Sequence, residues 1–203
     1  MPRKVSRDQS GPSLHRPIAL SRAVIITGRP SVGKTTVFLR VVDSLRASGR
    51  IVGGFVSMEV RIGGSRVGFE LVDLTSHRKG WLAHIDQPNG PRVGKYRVNT
   101  EDLVEIGVGA INNALLESRV DTIAVDEIGP MELTSQHFVR AISDALNSSK
   151  LLFATIHYRE RERILSMFNL KATVRLFEIM IDNRETVYQK IMDAVASGSR
   201  RRS

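Results

Sequence analysis

The segment Gly28-Arg29-Pro30-Ser31-Val32-Gly33-Lys34-Thr35, followed by Thr36, has the spacing G-x-x-x-x-G-K-[ST]. Each residue type in it has a task on a polyphosphate. Glycine at 28 and 33 permits backbone angles and a closeness of approach that a Cβ forbids. A loop built this way turns its N–H groups inward as an anion nest at a helix N-terminus. Lys34 is spaced to reach the β- and γ-phosphates, and Thr35 to offer its hydroxyl to Mg²⁺. Arg29, Pro30, Ser31, Val32 and Thr36 complete the binding loop, although a solvated loop arginine explains Arg29 equally well. With glycine near 7% of ordinary sequence, a chance match in a chain this long is on the order of one per cent.

A second acidic pair follows the apolar run Ile123-Ala124-Val125. Mg²⁺ takes near-octahedral oxygen coordination and keeps several of its waters. A carboxylate at the end of a strand beside the loop can hold them, which is the Walker B role and falls to Asp126. The next residue, Glu127, can polarise a water for in-line attack on the γ-phosphorus. Glu132 is the rival base. It lies beyond the Gly129-Pro130 turn, so the sequence fixes its position less well, and Glu127 is preferred. Asp126-Glu127-Ile128-Gly129 also fits the D-x-x-G of small GTPases, but no N-K-x-D guanine-reading motif accompanies it.

These groups need elements to position them. Ala23–Thr27 is a short β-branched run, as in a buried parallel strand, and residues 34–48 place Val37, Val41, Val42 and Leu45 on one helical face. Imperfect alternation over 55–61 and 66–74, around Gly63-Gly64-Ser65, predicts an antiparallel hairpin. Residues 76–98 read as loops with one short strand near 95–98. Thr100 is placed as the N-cap of a helix running to 117, and Thr134 as that of a helix running to 147. Strands are expected at 121–126, 151–156 and 172–181, a short charged helix at 159–168 and a last helix at 184–196. Strands alternating with helices make the fold class α/β: a mainly parallel central sheet, helices on both faces, and one antiparallel hairpin. Ligands on such sheets bind beyond the carboxyl ends of the strands, which points to Gly28, Asp126 and His157.

The 203 residues suit one domain with tails. The net charge is +9, of which residues 1–20 and 198–203 each carry +3. Both tails are rich in Ser, Gly and Arg and lack apolar periodicity, so they are read as disordered around a domain at 21–197. Basic tails are able to touch nucleic acid non-specifically, yet solubility alone explains them. There is no cysteine, which excludes a disulfide frame and thiolate chemistry. No run is long enough to span a membrane, no secretory signal opens the chain, and a cytoplasmic address is the default. Oligomeric state is not legible.

Five segments in order resemble the small P-loop nucleoside-triphosphatases first described from thermophiles, a family with a vertebrate member called cancer-related nucleoside-triphosphatase. They are GRPSVGKTT (28–36), GGFVSMEVRIGGSRVGFELVDL (53–74), VGKYRVN (93–99), DEIGPMEL (126–133) and DNRE (182–185). The resemblance spans 23–196. It implies a RecA-like fold that hydrolyses several nucleoside triphosphates with Mg²⁺ and little base preference. Asn183-Arg184-Glu185 stands where the family usually has Asn-Arg-Asp, which leaves the role of Arg184 open.

Other residues carry two readings each. Arg61 and Arg66 can face the nucleotide or pair with Glu59 across the hairpin. Lys95 and Tyr96 can touch phosphate or base. Thr155 and His157 end a strand beside that of Asp126, where a polar group can sense the γ-phosphate, although a lone histidine is commonly structural. Asn183 is explained in part by helix capping. Trp81 is read as a packing residue. Arg159, Arg161 and Arg163 resemble the lid of nucleotide kinases or, with Glu160 and Glu162, a salt-bridged helix start. The leading function is hydrolysis to NDP and phosphate. A nucleotide or polynucleotide kinase is the alternative, and a nucleic-acid-associated switch a further one.

Overall fold

The computed structural model describes residues 23–171 and 174–197; the two basic tails and the start of the strand expected at 172 lie outside them. Nine strands form one sheet: β1 Ala23–Thr27, β2 Val52–Ile62, β3 Ser65–Asp73, β4 Lys79–His84, β5 Arg92–Val93, β6 Tyr96–Val98, β7 Thr122–Ile128, β8 Leu151–Ile156 and β9 Arg175–Glu178. Their spatial order is β5-β6-β4-β3-β2-β7-β8-β1-β9. The five from β2 to β9 in that order run parallel. The four beyond β2 continue the sheet antiparallel. The expected hairpin is therefore the root of a larger antiparallel wing.

Successive residues of β1 point to opposite faces, as strand geometry requires. Ala23 and Ile25 join a core with Ile123, Val125, Phe138 and Ile142, under the helices α3 (Gly109–Leu116) and α4 (Gln136–Asn147). Val24 and Ile26 join the other core, under α1 (Lys34–Ala47) and α6 (Arg184–Ser197). There Phe38 of α1 stacks on Phe153 of β8 with ring centroids 5.1 Å apart. Two apolar layers thus clamp the central strands. No described helix is long and apolar enough to cross a membrane.

Four expectations need correction. The stretch read mostly as loop contains β4, whose alternation is broken by a register shift opposite Phe69 and Glu70. Asn99, not Thr100, caps the helix that opens as α2 (Thr100–Asp102): its side chain accepts from the Asp102 N–H. That helix passes through a π-helical stretch, Leu103–Val108, into α3. Ser135, not Thr134, caps α4 by accepting from the Phe138 N–H, while Thr134 closes a 3₁₀ turn. Among the described residues the last strand is Arg175–Glu178, shorter than expected, and it pairs with β1.

Candidate active site

The loop after β1 carries two left-handed residues, Ser31 (φ 64°) and Gly33 (φ 90°), separated by buried Val32. Arg29, Pro30 and Ser31 form its exposed crest. At Gly28 a Cβ would lie 2.5 Å from the carbonyl oxygen of Ile179, so the loop root packs against the chain leaving β9 with room only for hydrogen. Gly33 opens α1 without a side-chain cap, and the first turn holds no acid, so the positive helix end is left uncompensated. Lys34 folds back over the loop, its Nζ donating to the carbonyls of Gly28 (3.1 Å) and Arg29 (3.5 Å). Arg184 opens α6 and braces the loop from behind, its Nε donating to the Val32 carbonyl at 2.8 Å. Asn183 holds the preceding turn by accepting from the Met180 N–H and donating to the Glu178 carbonyl.

Across the strand ends, the Thr35 hydroxyl donates to Asp126 Oδ2 at 2.7 Å. Thr155, at the end of β8, donates its own hydroxyl to the other oxygen, Oδ1. Residues separated by 91 and 29 positions in the chain thus meet on one carboxylate. Asp126 is 2% exposed, and that burial raises its pKa; the two hydroxyls and the Lys34 charge work against the rise. Just past it the register between β7 and β8 shifts, and the Asp126–Glu127 peptide is cis.

Glu127 and Glu132 converge over Gly129. A Cβ built there would lie 3.0 Å from Glu127 Oε1 and 3.1 Å from Glu132 Oε2. Burial pushes the Glu127 carboxyl up to about 7; Lys34 pulls it down, and the Asp126 charge adds to the rise. Glu132, 2% exposed in the turn after β7, is pushed well above the carboxylate range by burial and then by the Glu127 charge. Backbone N–H groups of Gly129 and Glu132 offset part of that. The folded protein therefore holds the Glu132 proton more tightly than the unfolded chain, and its stability falls as pH rises above the ordinary glutamate value. Glu132→Gln is expected to raise the melting temperature at pH 8, by about 2–4 °C per kcal/mol relieved, and to leave it unchanged near pH 4. A calorimetric scan at both values checks this; a lower melting temperature at pH 8 contradicts it.

The remaining candidates are placed as follows. Arg61 and Arg66 both close on Glu59, at 2.5 and 2.8 Å, on the part of β2 and β3 that overhangs the strand ends. Arg66 Nε also donates to the hydroxyl of buried Tyr96, and Lys95 donates to the Arg66 carbonyl. This group is engaged with itself. Arg161 pairs with Glu162 and Glu178, and Arg163 with Glu160, so the run that resembles a kinase lid is a salt-bridged helix start. Trp81 packs edge-on against the His84 ring. Sequence reasoning missed the Ile179 carbonyl against Gly28, which only the pairing of β9 with β1 brings there. It also missed the grip of Thr155 on Asp126, whose one signal is a threonine ending an apolar strand.

The donor set suits a hard divalent ion. Thr35 and Asp126 offer a hydroxyl and a carboxylate at the end of the loop, and Mg²⁺ is commonly held by one or two protein oxygens plus phosphates and water. Among the described residues no cluster of three or more His, Cys, Asp or Glu builds a cage for a metal by itself.

The NTPase family profile matches residues 23–192. The chain is 43% identical over 175 residues to the nucleoside-triphosphatase THEP1 of Thermofilum pendens, covering 85% of this chain and 94% of that protein. It is likewise 43% identical over 170 residues to THEP1 of Methanothermobacter thermautotrophicus, covering 84% and 94%. Among solved structures it resembles a human cancer-related nucleoside triphosphatase, with a TM-score of 0.75 and 32% identity over 89% of this chain and all of that one. THEP1 from Aquifex aeolicus superposes with a TM-score of 0.73 at 28% identity, over 85% and 98%.

Proposed function

The chain belongs to the NTPase family and is a nucleoside-triphosphatase; from that premise we propose that residues 28–36 hold the phosphates and that Glu127 activates the attacking water. The observation that carries this reading is the meeting of Thr35, Thr155 and Asp126 beside a loop whose lysine lies over its own carbonyls. The loop amides and the Lys34 ammonium bind the β- and γ-phosphate oxygens. In doing so they turn a bimolecular encounter into a positioned one. Thr35 and Asp126 would hold Mg²⁺. When bound, that ion would supply positive charge against the negative charge that develops on the phosphates. Glu127, partly buried and near the end of β7, accepts a proton from the water as its oxygen bonds to the γ-phosphorus and the bond to the β-phosphate oxygen breaks. The products are NDP and phosphate. Glu132, deeper and held well above the carboxylate range, resists adding a third negative charge to those of Asp126 and Glu127.

Every group in this account addresses phosphate or water, and none addresses a base, so the reading includes little preference among bases. Hydrolysis of ATP, GTP, CTP, UTP and dTTP is expected at comparable kcat/KM with Mg²⁺ and is expected to stop when a chelator removes it. Asp126→Asn keeps the shape but gives up the charge, and should need far more Mg²⁺ for half-maximal rate. Phosphate-release assays across an Mg²⁺ titration decide both points. Turnover that survives chelation, or that depends on an added nucleotide or RNA acceptor, overturns the reading.

A further inference from the structure

The last helix grips the phosphate loop from outside it. Arg184 opens α6, and its Nε donates to the Val32 carbonyl at 2.8 Å, the length of a charge-assisted hydrogen bond. Among the described residues its guanidinium makes no other hydrogen bond and no ion pair. The same group lies against Gly33, where a Cβ would stand 3.3 Å from Arg184 Nε and 3.4 Å from its Cζ. One residue on, Glu185 takes the Arg40 guanidinium of α1 with both carboxylate oxygens. Tyr188 places its ring 3.7 Å from that guanidinium and its hydroxyl 2.8 Å from Ser44 Oγ. Arg184 thus reaches the loop from a helix already fastened to the one the loop opens.

What the Arg184 bond fixes is a peptide plane. The Val32–Gly33 bond is trans, so its carbonyl and its N–H point opposite ways. With the Val32 carbonyl turned to Arg184, the Gly33 N–H is turned away from it. Among the described residues nothing accepts from that N–H. The residues on either side of Val32, Ser31 and Gly33, are left-handed, and the Val32 side chain is buried with those of α1. Backbone of this kind gathers N–H groups for an anion. Glycine at 33 leaves that peptide free to take other orientations unless something holds it.

We propose that Arg184 is a positioning residue of the phosphate site: by holding the Val32 carbonyl outward it keeps the Gly33 N–H aimed into the loop, where a phosphate oxygen accepts from it. The inference rests on the phosphate site proposed above. What Arg184 serves is the phosphate chain itself, whichever base is attached. A loop already held in its binding form loses less free energy to ordering when the ligand arrives.

The test compares two ligands by calorimetric titration. One is a non-hydrolysable triphosphate analogue; the other is imidodiphosphate, which has phosphates but no ribose or base. The proteins are the wild type, Arg184→Met and Arg184→Gln, with Lys34→Ala as reference. Methionine keeps the bulk of the stem and donates nothing. Glutamine sets its amide nitrogen at the place of Nε and still donates to the carbonyl. Arg184→Met should lose about ten-fold in affinity for both ligands alike, the scale of one charge-assisted hydrogen bond. Arg184→Gln should recover most of that. Both should melt near the wild type, since Arg184 is exposed at a helix start. Loss for the nucleotide analogue alone would put Arg184 on the base or ribose and overturn the proposal. It also falls if neither affinity changes, if glutamine is as weak as methionine, or if Arg184→Met is partly unfolded during the titration. If Lys34→Ala binds both ligands as the wild type does, the phosphate site itself is misplaced. If Lys34→Ala loses both while Arg184→Met loses neither, only the role of Arg184 is wrong.

Discussion

Glu127→Gln is expected to bind nucleoside triphosphate as tightly as the wild type and to hydrolyse it about 10²–10⁴-fold more slowly, the range that a positioned general base contributes. The amide keeps the size of the carboxylate and can still sit over Gly129 opposite Glu132, so the turn after β7 should keep its shape. What disappears is the ability to accept the water's proton. The loss should therefore fall on kcat and leave the affinity for a non-hydrolysable analogue unchanged. The same substitution at Glu132 separates the two candidate bases. Glu132 is buried more deeply and pushed further from ionisation, so Glu132→Gln should retain most turnover. A dead Glu132→Gln beside an active Glu127→Gln would reverse the assignment.

Lys34→Ala is expected to cost at least about 10²–10³-fold in kcat/KM, the scale of removing one preorganised donor from developing charge, with loss in affinity as well as turnover. In the proposed site the lysine is matched to charge on the β/γ oxygens in the ground state, and that charge grows as the bond to the leaving oxygen breaks. Its two hydrogen bonds in the protein alone run to loop carbonyls near the surface, at 3.1 and 3.5 Å, so the fold does not depend on it. The melting temperature should stay within a few degrees of the wild type, as for surface changes in general. Parallel calorimetry and phosphate-release assays check this. Unaltered affinity in a folded Lys34→Ala contradicts the role given to the loop.

The residues proposed to do the chemistry were legible because their types and spacing suit a polyphosphate ligand. The loop from Gly28 to Thr35, Asp126 at the end of an apolar run, and the hairpin around Gly63-Gly64 each follow from local rules of glycine conformation, strand burial and alternation. The parallel centre of the sheet followed from strands alternating with helices. What escaped depends on partners distant in sequence. β4 went unread because its half-buried pattern is set by pairing with β3 across an irregular register. The helix caps slipped by one residue where two capping types stand side by side, Asn99 with Thr100 and Thr134 with Ser135, and only backbone geometry separates them. Glu132 gives no sign in sequence of being 2% exposed, since its burial comes from the turn after β7 folding against α4. The brace from Arg184 to the Val32 carbonyl joins residues separated by 152 positions, and no local pattern encodes it.

A crystal of the protein with Mg²⁺ and a non-hydrolysable triphosphate analogue tests the central claim most directly. The expected density places the β- and γ-phosphates against the amides of residues 28–35, with the Lys34 ammonium withdrawn from the Gly28 carbonyl onto their oxygens. The Thr35–Asp126 hydrogen bond should be replaced by an ion shared between those two side chains. A triphosphate bound away from the loop, or an Asp126 carboxylate still turned to Thr35 and Thr155 with no ion beside it, would contradict the account.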